Sequence, residues 1–333
     1  MKRGWYADRY FNRTREVLLK DRCHPRVTMQ IFAREHATVC GIDEAIAILK
    51  LCSTKPSRLR IDALFDGDPV TPWEPVMHIQ GDYAHFAHLE TAYLGILSRG
   101  TSVATAVREV VEAASGKPVL FFSARFDHYS VQSGDGHAAF IGGAQGVSTD
   151  ANGAWWGTKG IGTIPHGLIA AYEGDTVRAA IAFDRFVPKS VGRIVLVDFV
   201  NDCVQTSIQA AHALGRRLAA VRLDTAGELW DRSIRRRTRG NRGVCPELVR
   251  NVRKALDQEG FRQVKIIVSG GFNAARVREF VRLKVPFDAV GVGAAFFRRK
   301  IDFTADLVRV NGKPCAKVGR RFRENRRLKE VRF

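Results

Sequence analysis

Nowhere in its 333 residues does this chain hold an apolar run near the ~20 residues that a helix needs to cross a membrane. The start, Met1-Lys-Arg-Gly-Trp-Tyr-Ala-Asp8, lacks the apolar stretch of a signal peptide. Cysteine is sparse and scattered, six in all at positions 23, 40, 52, 203, 245 and 315, with no Cys-x-x-Cys. That spacing argues against a thiolate metal cluster and against a disulfide framework. Reduced thiols, a cytoplasmic location and no membrane partner are therefore expected. Acid is also in short supply, with 34 Asp and Glu against 53 Lys and Arg, a net charge of +19.

The location of that charge decides how to read it. Residues 230–244 hold six arginines against one aspartate, and residues 317–332 hold eight basic residues against two glutamates. Charge confined to a loop and a tail is the pattern of solvated surface or of nonspecific affinity for polyanions. Only Trp230 and Phe322 interleave with it, which is poor support for base stacking, so nucleic acid is not the expected partner. A basic scaffold for RNA or another polyanion remains the alternative of a different class. An anionic small-molecule substrate accounts for part of the charge equally well.

What the chain does have is a repeated rhythm. Three apolar runs each end in a small polar cluster: Arg193-Ile-Val-Leu-Val-Asp198, Leu218-Ala-Ala-Val-Arg222-Leu-Asp224-Thr225 and Val264-Lys-Ile-Ile-Val-Ser269-Gly270-Gly271. Each reads as a buried strand emerging into solvent, followed by helical periodicity. This predicts an α/β fold with a parallel barrel whose ligands bind at the strand ends. Strands near 119, 155, 194, 218, 264 and 287 make about six, an incomplete barrel. Between them, helices are predicted over 134–146, 166–182, 203–214, 245–259 and 273–283. Ahead of it, helices at 13–22 and 41–52, short strands at 59–65 and 76–79, and a helical region at 86–114 interrupted near Gly100 form a separate domain. Residues 303–318 alternate about the turn dipeptide Asn311-Gly312 and predict a hairpin that rejoins it. The expected division is 1–118, 119–300 and 301–333, an N-terminal α/β sandwich, a barrel, and a C-terminal hairpin with a basic tail.

The strand ends carry the candidate chemistry. Asp198 and Asp224 could merely cap helices, but as carboxylates at equivalent strand ends they are candidates for catalysis and for holding a sugar or a metal, which the resemblance described below implies is Mg²⁺. Ser269-Gly270-Gly271, followed one strand later by Gly291-Val-Gly293, fits a two-loop phosphate cradle of bare amides. Gly160-Ile-Gly162-Thr163-Ile-Pro165-His166 fixes a histidine at a helix start, where it can serve as acid, base or phosphate acceptor. A barrel enzyme acting on another sugar phosphate, such as an isomerase, would share these parts.

Taken in order, these segments resemble the nicotinate phosphoribosyltransferase family of type II phosphoribosyltransferases. The resemblance runs through Asp8-Arg-Tyr10-Phe-x-Arg13-Thr14, Leu89-Glu90-Thr91, Thr101-Ser-Val-Ala-Thr105 and Phe122-Ser-Ala-Arg125. It continues through Gly162-Thr163-x-x-His166, Arg222-Leu-Asp224, Ser269-Gly270-Gly271, Gly291-x-Gly293 and Gly312-x-Pro314-x-x-Lys317. It implies transfer of phosphoribosyl from phosphoribosyl pyrophosphate to nicotinate, with Mg²⁺, in NAD biosynthesis. It further implies ATP as a cosubstrate that phosphorylates His166, and a homodimer or higher oligomer with a shared active site. Phe122, and Tyr10 from the neighbouring subunit, would sandwich the pyridine. Arg125 would pair with its carboxylate, Thr163 and Arg222 would contact substrate, and Ser269, Gly270, Gly271, Gly291 and Gly293 would hold phosphate. The chain departs from the pattern at Thr225-Ala-Gly227-Glu228, where Ser-Gly-Asp is common, and at Gly167, where serine is. Quinolinate phosphoribosyltransferases share the Ser-Gly-Gly element but carry a lysine absent from Ser123-Ala-Arg125-Phe126. Nicotinate is therefore favoured, with quinolinate or nicotinamide as the alternative bases.

Overall fold

The computed structural model describes residues 1–332 and divides into two compact units, Met1–Ala106 with the segment from Arg299 onward, and Val107–Arg298. The first is built on a six-stranded antiparallel sheet ordered Lys313–Pro314, Phe303–Val310, Arg26–Ala33, Pro75–Asp82, Arg60–Ala63, Lys329–Glu330. The predicted hairpin does rejoin it. Asn311 and Gly312 have φ of 48° and 79°, the two positive values that a tight primed turn demands.

The central strand Arg26–Ala33 was not anticipated. Its alternation is masked because both faces are buried. Val27, Met29, Ile31 and Ala33 join the apolar core with Ile42, Leu49, Tyr93 and Leu97 from the helices Ile42–Cys52 and Glu90–Ala114. On the other face, Gln30 Oε1 accepts the Arg323 amide at 2.8 Å, and Phe32 stacks on Trp73 with Arg320 beside it. The basic C-terminal segment is thus a strap over the sheet that ends as its edge strand, with most of its charged side chains left in solvent as expected. A second correction concerns Gly100: Glu90–Ala114 runs through it as one helix. A side chain there would meet the Cys40 carbonyl oxygen at 2.9 Å, so this glycine permits a close approach and breaks nothing.

The second unit is the incomplete parallel barrel. Its strands in chain order are β1 (Val119–Phe121), β2 (Gly146–Val147), β3 (Arg193–Leu196), β4 (Leu218–Leu223), β5 (Lys265–Val268) and β6 (Ala289–Val292), and they lie in the order β2-β1-β6-β5-β4-β3. All pairings are parallel. The helices are α1 (Gln132–Gly142), α2 (His166–Ala171), α3 (Thr176–Phe186), α4 (Cys203–Leu214), α5 (Pro246–Gln258) and α6 (Ala274–Arg282), apart from one turn at Asp150–Gly153. The predicted strand near 155 is instead β2; the paired tryptophans Trp155 and Trp156 that imitate a strand lie in a turn. The predicted helix 166–182 is two, parted at Glu173 and Gly174, both with positive φ.

The barrel has a seam between β2 and β3, and residues 161–164 occupy it. The Ile161 amide donates to the Val147 carbonyl at 2.7 Å, and the Ile164 amide to the Ile194 carbonyl at 3.1 Å. A Cβ on Gly146 would stand 2.2 Å from Ile161 Cδ1, so glycine there lets Ile161 seat against the interior residues Leu120, Ala220, Ile267 and Ala289. No helix among the described residues is long and apolar enough to cross a membrane.

Candidate active site

The carboxyl ends of the barrel strands surround a cleft of about 640 Å³. Its walls include Phe122, Arg125, Thr163, His166, Arg222, Asp224, Ser269, Gly270, Gly271, Gly291 and Gly293, so the predicted barrel residues converge apart from Asp198. Three arginines, Arg125, Arg222 and Arg298, face it against the single acid Asp224, which suits an anion. Arg298, on the turn after β6, is a wall residue that sequence reasoning missed; no local motif singles it out.

Arg222 organises the centre. Leaving β4 beside Ser269 at the end of β5, it donates through Nε to Ser269 Oγ (2.9 Å), through Nη1 to Thr163 Oγ1 (3.3 Å) and through Nη2 to Asp224 Oδ2 (3.2 Å). Its guanidinium also lies 4.9 Å over the Phe122 ring. The Ser269 hydroxyl reaches Asp224 Oδ1 at 2.9 Å and the Leu223 carbonyl at 3.0 Å. Asp224 therefore has both oxygens engaged, and its position is fixed before any ligand arrives.

Asp198 is placed differently. Only 8% of its side chain is exposed, and both oxygens face His166 Nε2 at 3.1 Å. Burial pushes its carboxyl above the usual range, His166 draws it back, and the charge of Asp224 raises it again. An ionised carboxylate only accepts, so His166 carries its proton on Nε2 and keeps the lone pair on Nδ1 when neutral. His166 itself is half exposed on the cleft wall. Asp198 and Asp224 each already hold a neighbour, and each carboxylate keeps lone pairs that could take a magnesium ion.

The cradle follows β5. Gly270 and Gly271 have φ of 82° and 74°, values open to glycine and strained for other residues. None of the amides of residues 270–273 has an acceptor among the described residues, and they lead into α6, whose N-cap Asn273 accepts the Arg276 amide. Free amides at a helix start are a receptor for an anion. Gly293 adjoins them on the cleft wall, its carbonyl held by the Ser123 hydroxyl at 3.0 Å. Gly291 lies within β6, where a Cβ would come within 2.4 Å of the Phe122 ring, so its bareness seats that ring. Tyr10 belongs to the first unit, exposed on the helix Arg9–Lys20. The Asp8 amide there donates to Thr91 Oγ1 (3.0 Å), and the Thr91 hydroxyl returns a bond to the Asp8 carboxylate (2.8 Å).

Comparison with known proteins places this arrangement. A family model described as quinolinate phosphoribosyl transferase, N-terminal domain, matches residues 8–101. The crystal structure of nicotinate-nucleotide pyrophosphorylase from Pyrococcus furiosus is 36% identical, with a TM-score of 0.82 over 96% of this chain and 78% of that one. Nicotinate phosphoribosyltransferase pncB1 of Mycobacterium tuberculosis is 31% identical over 77% of this chain and 55% of that protein. The chain belongs to the nicotinate phosphoribosyltransferase family. Human nicotinic acid phosphoribosyltransferase, at 16% identity and a TM-score of 0.70 over 93% of this chain, shares the fold. The chain spans about half the length of the curated family members it matches, 55%, 46% and 44% of three of them.

Proposed function

We propose that this family member transfers phosphoribosyl from phosphoribosyl pyrophosphate to nicotinate, releasing pyrophosphate and forming nicotinate mononucleotide for NAD synthesis. The observation that carries the reading is the juxtaposition, in one cleft, of an amide cradle and a carboxylate held rigid by arginine and serine. The 5′-phosphate lies on the amides of residues 270–273 and of Gly293. The pyridine nitrogen attacks the anomeric carbon as the bond to pyrophosphate breaks, and positive charge grows on the ribose ring. Asp224, preorganised beside it, stabilises that charge. Phe122 offers a flat face to the ring, and Arg125 or Arg298 a planar fork to its carboxylate. Asp198 and Asp224 would hold magnesium beside the ribose, and the ion would neutralise charge on the departing pyrophosphate.

His166 accepts the γ-phosphoryl group of ATP on a ring nitrogen as ADP departs, with Asp198 fixing the ring. The test is pyrophosphate release from phosphoribosyl pyrophosphate with nicotinate, quinolinate and nicotinamide in parallel, with and without ATP. Release with none of the three would end the reading. The match of residues 8–101 to the quinolinate enzyme's N-terminal domain is the specific observation for the second base, and preference for quinolinate would move the assignment there.

A further inference from the structure

Arg276 of the barrel unit has no ion pair with a carboxylate among the described residues, although Glu279 on the same helix acts on it electrostatically, and it has no part in the chemistry above. Arg276 lies in the first turn of α6, where the helix dipole already concentrates partial positive charge and a cation is unfavourable. Its hydrogen-bond acceptors among the described residues are both carbonyls: Nη1 donates to Gly270 at 3.3 Å and Nη2 to Val244 at 2.8 Å. The guanidinium lies 4.6 Å over the Phe272 ring, and burial pulls its pKa below the usual value. A guanidinium kept in such a place, among neutral acceptors, leaves its charge available to something else.

We propose that Arg276 is the positioning residue of the phosphate cradle, orienting the Gly270–Gly271 peptide toward the sugar 5′-phosphate and backing it with positive charge. This rests on the phosphoribosyltransferase reading of the cleft. In a trans peptide the carbonyl and the following N–H point in opposite directions. Holding the Gly270 carbonyl on Arg276 therefore turns the Gly271 N–H away from the guanidinium and leaves it free to meet an anion. Both flanking residues are glycines at positive φ, so little else fixes the rotation of that peptide. The second bond reaches Val244, where the arginine-rich loop 230–244 returns to α5. Gly243 packs there against Gly227 and the Thr225 carbonyl, so one side chain ties the loop after β5 to the loop after β4.

The experiment compares the full-length wild type with Arg276→Met and Arg276→Lys. Methionine keeps the stem against Phe272 and removes the charge; lysine keeps the charge and loses the fork. Ribose 5-phosphate is titrated by calorimetry, and KM is measured for phosphoribosyl pyrophosphate and for nicotinate. Arg276→Met weakens ribose 5-phosphate about tenfold or more, because the Gly271 amide loses its fixed aim and a hydrogen bond to a charged group is worth about that much. It raises the KM for phosphoribosyl pyrophosphate in step while leaving that for nicotinate within about twofold, and lysine recovers part of the loss. Unchanged ribose 5-phosphate affinity in a folded Arg276→Met overturns the assignment, as do equal losses for both substrates. Should the methionine variant not fold, Arg276→Lys decides, and wild-type affinity there overturns the two-carbonyl role. A wild type that binds ribose 5-phosphate in an Arg276-dependent way yet transfers nothing to any pyridine would end the functional reading and leave Arg276 in place; a wild type that does not bind it ends both.

Discussion

Arginine does opposite work in the two units. In the first it is glue: Arg320 meets Asp306 at 2.6 Å, Arg327 meets Glu74 at 2.8 Å, and Arg34, Arg320 and Arg323 gather around the Trp73 ring. In the barrel unit Arg222 is paired with Asp224, but the other two arginines of the cleft are left receptive. Arg125 and Arg298 are exposed on it, and Arg276, behind the cradle, bonds two carbonyls and lies over Phe272 without an ion pair among the described residues. Charge binds a fold together when acids of the same unit consume it, and is open to a ligand when no acid does. Composition cannot distinguish the two cases, which is why the net charge said so little about the partner.

The comparison breaks hardest at Asp224. Asp224→Asn keeps the shape of the cleft but removes the charge that the proposed reaction sets beside the ribose, and turnover should fall ~10²–10³-fold without loss of fold. Steady-state rates and a thermal melt check it, and near wild-type turnover would take Asp224 out of the chemistry. On the other side of the contrast, Arg320→Ala leaves a mostly buried Asp306 without its partner and strips one cation from Trp73. About 2 kcal/mol of stability should go, read by denaturant titration, with turnover unchanged well below the transition. Arg125→Ala should raise the KM for the pyridine about tenfold and Arg125→Lys somewhat less, because a lysine cannot present the fork. Equal, small effects would class Arg125 with the structural arginines.

The smallest effect is a pH slope. Burial pushes Glu90 up to about 8 from the ordinary 4.5, with Tyr83 opposing and Asp306 and Asp8 adding to it. Its folded form thus holds a proton that the unfolded chain has released, so this contribution is complete below about 4.5 and is lost as pH rises toward 8. Glu90→Gln should flatten the decline, gaining roughly 2–5 °C over wild type at pH 8 compared with pH 5. Parallel melting curves at both values would remove the group from the pH balance.

The barrel's strand ends were legible because a short apolar run closing on Asp, or on Ser-Gly-Gly, carries its own signal. Arg222 and Asp224 were placed together by spacing alone, two apart on one strand. The central strand Arg26–Ala33 was hidden because the strap covers its polar face, and that covering lies about 290 residues away along the chain, with Arg323 on Gln30. Strand β2 was missed for the opposite reason: two residues beginning with a glycine give no period to read. Asp198 was legible as a strand-end acid, but its turn toward His166 depends on tertiary approach across 32 positions. Arg276 reads in sequence as one more basic residue on an amphipathic helix, and its bond to the Gly270 carbonyl of the cradle sets it apart.

The segment in the seam carries a further consequence. The same few residues serve as a stave of the barrel and as the stem of His166, so the protein has no separate adjustment for each. A change that lengthened or loosened 160–165 would slacken the wall and misdirect the imidazole together. A designer wishing to retune the histidine must therefore work from the far side of the ring, through Asp198, and leave the stave alone.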